Sequence, residues 1–215
     1  MRILITRAKP WAELVASLGG RFELVFCPFI DFKYIPILSL PKTDWIFFTS
    51  PTSVEAVLRC FTAQQIAGYR LAAMGKGTAR QLKERGLEPI FTGQGNRTEA
   101  IGAHFGQVVG NESVFFPIAS RTLQRVQNKI SNAVEQEVYE TVIQDNKAPK
   151  HDAILFTSPS NVEGFLRSNA LPSANRIFAL GPATAQALKK KCILLGDTAP
   201  ENIAKEIIRY LQAVD

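Results

Sequence analysis

Metal-ligating side chains are scarce in this chain of 215 residues, which has two histidines, His104 and His151, and three cysteines, Cys27, Cys60 and Cys192. Neither histidine has a neighbour at ligand spacing, so a metal centre is not expected. The cysteines are odd in number, far apart and without C-x-x-C. That excludes a disulfide framework and suits reduced thiols in a cytoplasmic protein. No apolar run approaches the ~20 residues of a membrane helix. The opening MRILITR reads as a strand rather than a signal peptide, because Arg2 and Arg7 leave too short an apolar stretch. Cationic runs stop at Lys189-Lys190-Lys191, and no aromatic stripe is interleaved with basic residues. Nucleic acid is therefore not the expected partner. GxGxxG and GxxxxGK[ST] are both absent, which disfavours a dinucleotide or P-loop nucleotide. What remains is a net charge of +6, which allows an anionic ligand without naming one.

What the chain does have is a repeat. Residues 44–60 read DWIFFTSPTSVEAVLRC and residues 152–168 read DAILFTSPSNVEGFLRS, with ten of seventeen positions identical. Downstream of each lies a second shared element, AAMGKGTARQLK from Ala72 and FALGPATAQALK from Phe178. Short apolar runs alternate with helical patterns throughout, which predicts α/β structure: parallel sheets flanked by helices. Strands are expected at 3–6, 22–29, 45–49, 70–74, 87–91, 113–116, 134–142, 153–157, 176–180 and 192–195. Among the helices, Asn96 with Glu99 fits a capping box, another helix is expected over 121–130, and the last at 201–213. Only three strand–helix units follow residue 152, so residues from the N-terminus must complete that sheet. The expected organisation is a discontinuous domain, 1–32 plus 146–215, with a second domain, 33–145, inserted in it. Two extended crossings would join them as a short ladder and hinge. No surplus apolar helix face is evident, so a monomer is expected.

The repeated turns are where chemistry is expected. In FTSP a buried strand ends, Ser50 or Ser158 stands at the N-cap, and Pro51 or Pro159 takes the first helical position. These serines either only cap helices or also meet a ligand, and both readings stay open. Gly75 and Gly181 precede a second pair of helices that carry Thr78 and Thr184 in their first turns. Free N–H groups there favour anions. Gly95-Asn96 and Ser120-Arg121 add two further turns. In open α/β sheets such loops share one side, beyond the carboxyl ends of the strands. Two facing sets would form a cleft for a large anionic ligand. Tyr139 is either half-buried packing or a phenol placed at that cleft.

ILITR, FTSP followed by V-E, MGKGTA, TGQGN, VYETV, FTSPSNV and ALGPATAQAL occur in an order and spacing that resemble uroporphyrinogen-III synthases over nearly the whole chain. The resemblance implies two flavodoxin-like domains joined by a two-strand ladder, with the active site between them. It implies a substrate, hydroxymethylbilane, which is a linear tetrapyrrole with eight carboxylates. The reaction implied is loss of water and ring closure with inversion of the last pyrrole ring. No metal and no organic cofactor are implied. Tyr139 would assist departure of the hydroxyl. Ser50, Thr78, Ser158 and Thr184 would hold acid groups, Gly95 and Asn96 would line the cleft, and Arg121 would reach the substrate. The resemblance leaves room for transient contact with the enzyme that makes the bilane. A non-catalytic two-domain cytosolic binder of a small anion is the other class left open.

Overall fold

A computed structural model of the chain describes residues 1–95, 97–120, 126–196 and 199–212. The chain forms two compact units, one of Met1–Asp31 with Val142–Asp215 and one of Phe32–Thr141. It opens in the first unit with β1 (Arg2–Ile5), α1 (Ala12–Leu18) and β2 (Glu23–Phe26), and β3 (Ile30–Tyr34) carries it into the second. The second unit continues with β4 (Trp45–Phe48), α2 (Pro51–Leu58), α3 (Ala63–Ile66), β5 (Arg70–Ala73) and α4 (Lys76–Lys83). It closes with β6 (Phe91–Thr92), α5 (Thr98–Val109), β7 (Val114–Ala119) and β8 (Ala133–Ile143). The return to the first unit adds β9 (Ala153–Phe156), α6 (Pro159–Ser168), β10 (Ile177–Ala179), α7 (Pro182–Leu188), β11 (Ile193–Leu194) and α8 (Pro200–Gln212).

The first unit's sheet has the order β11-β10-β9-β1-β2, and its pairings are parallel. Numbered along the chain within the unit, that is 2-1-3-4-5, the flavodoxin order. The second sheet runs β3-β8-β7-β4-β5-β6, and β4, β5, β6, β7 and β8 pair in parallel. Leaving out the edge strand β3, it is the same sheet circularly permuted, with the repeated strands β4 and β9 in matching central places. Both strands have every residue buried, as parallel strands covered on both faces require.

Each sheet has a core on either face. In the second unit, Phe47 packs against Phe91, Phe105 and Phe116 on one side of the sheet. Ile46, Phe48, Val54, Val57 and Leu82 fill the other side. In the first unit, Ile3, Ile5, Leu155, Ile203 and Ile207 form one core, and Leu4, Phe29, Phe156 and Phe165 form the other. Each fully buried side chain of this size stabilises the fold by about 1.5–3 kcal/mol relative to exposure. No helix among the described residues is long and apolar enough to cross a membrane.

Several local expectations change. α5 starts at Thr98 with Arg97 at its N-cap and no cap bond from the Arg97 side chain, whereas the expected box rests on Asn96. Asn96 itself lies outside the described residues, as do Arg121 and the first half of the helix expected at 121–130, whose described end is a short 3-10 turn at Gln127–Lys129. The strand expected at 87–91 shrinks to Phe91–Thr92 and that at 192–195 to Ile193–Leu194. The short α3 was not expected, although Thr62 and Gln65 form a reciprocal capping box at its start.

α6 lies hard against the segment that follows β2. A Cβ built on Gly164 would stand 2.1 Å from the carbonyl oxygen of Phe29 and 2.9 Å from its Cβ. Only glycine admits that approach without moving backbone. Gly164→Ala should therefore lower the unfolding free energy by about 1–3 kcal/mol. Urea denaturation reads this directly, and an unchanged midpoint would mean that α6 can slide away freely.

Candidate functional site

In both units the helices after the central strands start at the carboxyl ends of the sheet. The strand order reverses direction between β4 and β7 and, in the matching place, between β9 and β1. In open α/β sheets such a reversal opens a crevice that takes ligands. Ser50 follows β4 and Ser158 follows β9, so each stands at its own sheet's reversal point.

The first-turn donors of these helices can be accounted for one by one. In α2, Pro51 has no N–H, that of Ser53 donates to Ser50 Oγ at 3.1 Å, and that of Val54 donates to the Ser50 carbonyl. Only the Thr52 N–H lacks a bond among the described residues. α6 repeats the pattern with Pro159, Asn161 and Val162, and leaves the Ser160 N–H over. The glycine turns are emptier. Gly75 provides no side-chain cap, and the first bonded donor of α4 is Ala79, so the N–H groups of residues 76, 77 and 78 have no partner among the described residues. In α7, Pro182 has none, Ala185 is bonded to Gly181, and the N–H groups of residues 183 and 184 have no partner among the described residues. Helix N-termini with free N–H groups are anion sites. The glycine turns therefore offer more than the serine turns.

The two threonines differ. Thr78 is 5% exposed, and its hydroxyl makes no hydrogen bond among the described residues. Thr184 is 2% exposed and turns its hydroxyl back to the Leu180 carbonyl at 3.4 Å. The chain enters the helices differently, since Gly181 takes φ 101° whereas Gly75 is extended. A Cβ on Gly75 would meet nothing within 4 Å, so the backbone there is open to an approaching group.

Tyr139 comes from β8, paired to Ala119 at the last register position of β7, just past a β-bulge. Its ring is 8% exposed and stands edge-on to Phe32, with centroids 5.6 Å apart. Its hydroxyl lies 3.2 Å from Ser50 Oγ. Burial raises the phenol's pKa above its ordinary value, while the bond to Ser50 acts in the opposite direction. The phenol therefore stays protonated at neutral pH and can donate.

The second unit thus brings Tyr139 and Ser50 into contact and places Thr78 and Gly95 in the turns after β5 and β6. The first unit places Ser158 and Thr184 after β9 and β10. Two features escaped the sequence reading. Thr6, fully buried at the end of β1, is tied to Thr157. The Thr157 hydroxyl donates to the Thr6 carbonyl at 2.7 Å, and Thr6 Oγ1 accepts the Thr157 N–H at 3.0 Å. Asn161, 3% exposed, accepts the Phe29 N–H and donates to Ser158. A polar residue three places beyond a capping serine was the available signal for Asn161.

These units define an open parallel α/β protein that gathers neutral donors at its strand ends. A model of the family described as Uroporphyrinogen-III synthase HemD matches residues 9–200, and the chain belongs to that family of cyclising lyases. A Methanocaldococcus jannaschii protein named "Putative uroporphyrinogen-III synthase" is 26% identical over 88% of this chain and 89% of its own. The structure of uroporphyrinogen-III synthetase from Helicobacter pylori is similar at a TM-score of 0.71 and 16% identity, over 98% of this chain and 100% of that one. That of a mutant uroporphyrinogen III synthase from Thermus thermophilus is similar at 0.59 and 18%, over 99% of both. These two likenesses concern the fold.

The raised phenol has a measurable sign. Its folded pKa lies above the unfolded value of about 10, so its contribution to stability is complete below that pH and is lost as pH rises through the folded value. In a phenolate absorbance titration of the four tyrosines, Tyr139→Phe should remove a step above the ordinary range. Loss of a step at or below about 10 would contradict the burial argument.

Proposed function

We propose that this chain converts hydroxymethylbilane to uroporphyrinogen III, with Tyr139 as the proton donor and the strand-end turns as carboxylate holders. Family membership over residues 9–200 supports the reaction. The observation that supports the site is the Tyr139–Ser50 contact at the reversal point of the second sheet.

The chemistry balances with few groups. A pyrrole nitrogen lone pair expels the hydroxyl from the terminal hydroxymethyl carbon, leaving a cationic azafulvenium, and the hydroxyl takes the Tyr139 proton and departs as water. Ser50 Oγ already accepts the Ser53 N–H, so its own hydrogen can be donated to the phenol oxygen and support the phenolate as it forms. The already substituted α-carbon of the last ring attacks, and the resulting spiro intermediate fragments and recloses with that ring reversed. The α-proton lost in the final rearomatisation balances the proton that Tyr139 supplied, and one water leaves overall. The protein's main task is to hold the chain folded so that the correct carbons meet.

Carboxylates of the bilane are taken chiefly by the free N–H groups of α4 and α7, with Thr78 adding a hydroxyl and Thr184 less. Ser50, Ser158 and Gly95 contribute at their own turns. Asn96 and Arg121, outside the described residues, keep substrate-lining roles on the strength of the sequence resemblance. The three cysteines are free thiols, which supports a cytoplasmic setting. The bilane closes spontaneously to the type I isomer, so direct contact with the enzyme that makes it is a natural partnership.

Purified protein given hydroxymethylbilane should yield the type III isomer, and type I alone would overturn the reading. Tyr139→Phe should slow turnover by between about 3-fold and 100-fold with the fold intact. An unchanged kcat removes the phenol from the mechanism. Thr78→Val should raise KM by about tenfold, the worth of one charge-assisted hydrogen bond. Thr184→Val should raise it less, because that hydroxyl is already directed at Leu180. Equal effects would show that the back-bond does not persist with substrate.

A further inference from the structure

We infer that Asn161 is a positioning residue that sets the hydrogen-bond polarity of Ser158, leaving that serine only a hydrogen to offer to substrate. The inference rests on the reading of Ser158 as a carboxylate holder.

The fixed point of this turn is Phe29. Its backbone N–H is unambiguously a donor, and it meets Asn161 Oδ1 at 2.9 Å in a fully buried place. The amide oxygen is therefore fixed towards Phe29, and the amide nitrogen must face the other way. It faces Ser158 Oγ at 3.0 Å. Ser158 Oγ also accepts the Asn161 backbone N–H at 3.3 Å. A serine oxygen has two lone pairs, and both are now engaged. Among the described residues the hydroxyl hydrogen has no inward acceptor, so it points outward from a partly exposed residue. A group that accepts, such as a carboxylate, can be bound there, and a donor cannot.

The same turn in the other unit is wired differently. The residue matching Asn161 by the repeat is Ser53, whose hydroxyl donates to the Ser50 carbonyl and so offers Ser50 Oγ no second hydrogen. The second partner of Ser50 is the Tyr139 hydroxyl, where either oxygen can donate. The serine of the second unit can thus reverse its polarity as a proton-transfer step requires, whereas the serine of the first cannot. Twin sequences have diverged into a reversible hydroxyl and a fixed donor.

Asn161 is also the anchor of the chain's passage out of the first unit. The Phe29 carbonyl accepts the Gln144 N–H at 3.0 Å, and Asn146 Nδ2 donates to the Pro28 carbonyl at 2.8 Å. The amide that sets Ser158 is therefore held by a backbone segment with few ways to move.

The test is a double-mutant cycle of Ser158→Ala with Asn161→Asp. Aspartate keeps an acceptor for the Phe29 N–H but accepts the Ser158 hydrogen inward, so the outward donor is lost. Asn161→Asp should raise KM for hydroxymethylbilane about tenfold with kcat nearly unchanged. In the Ser158→Ala background the further rise should be below about threefold, the remainder being charge alone. Slow amide exchange at Phe29 should persist in Asn161→Asp. Equal effects in both backgrounds, or a fall in kcat without a rise in KM, would overturn the inference while leaving Ser158 as a binding residue. If Ser158→Ala alone changes neither KM nor kcat, the carboxylate-holder reading of Ser158 fails, and the inference with it. Should the aspartate variant not fold, Asn161→Ser replaces it in the same cycle. Its smaller KM rise must likewise vanish in the alanine background for the inference to stand.

Discussion

A helix that begins where a buried parallel strand ends exposes N–H groups that its own ladder cannot bond. Who satisfies those donors is the constraint on which the rest of this protein turns. At the serine turns the chain does most of it alone: proline removes one donor, the serine hydroxyl takes another, and a single N–H is left over in α2 and in α6. At the glycine turns it declines to. Gly75 has no side chain with which to cap, and α4 begins with three N–H groups that have no partner among the described residues, beside Thr78, whose hydroxyl has none there either. Donors left over at exposed turn residues such as Lys76 and Gly77 are open to water in the free protein and, on the proposed reading, become useful when an acid group arrives. The serine turns thus act as rigid posts, and the glycine turns as vacancies.

Rigidity at the posts has a visible origin. Thr6 and Thr157 lock β1 to β9 by exchanging two bonds just below Ser158, and Asn161 ties the same turn to Phe29. Gly164 then brings α6 into backbone contact with that segment. Thr6, Asn161 and Phe29 are buried and Thr157 is half-buried, and in such places a satisfied polar network holds one geometry and an unsatisfied one is penalised. In the other unit the corresponding place is filled by the phenol of Tyr139, shielded by Phe32 and answered by Ser50. On the proposed reading, the same supersecondary unit is set to hold in one case and to exchange a proton in the other.

Much of this was legible in the chain itself. The fully apolar strands before FTSP could only be buried, and the duplicated turns announced two similar sheets. Pairing order was less accessible, because the circular permutation between the two sheets depends on which strands meet in space. Helix starts were read well where serine and proline coincide. The start expected at Asn96 falls on a residue outside the described ones, and Arg97 stands at the N-cap position of α5. The contrast between Thr78 and Thr184 could not be read, since both follow a glycine at the same distance and differ only in how the backbone enters the helix. Asn161 was passed over because its neighbour Phe29 lies 132 residues away in sequence.

The choice of neutral donors fits the reaction. Loss of hydroxide makes the pyrrole chain electron-poor, so positive charge develops close to where the acid side chains must be gripped. A cluster of arginines and lysines would bind eight carboxylates tightly but would oppose that charge in a medium of low dielectric. Backbone N–H groups and hydroxyls hold a carboxylate through partial charges, and their field falls off faster with distance than that of a full cation. Apart from the exposed Lys76, the described serine and glycine turns bring forward groups of this neutral kind. The phenol obeys the same logic. Burial keeps it protonated, so it adds no charge before the reaction, and as the proposed proton donor it would acquire its negative charge when the substrate's positive charge appears. A carboxylic acid in its place would carry its charge too early, and a lysine would carry the wrong sign.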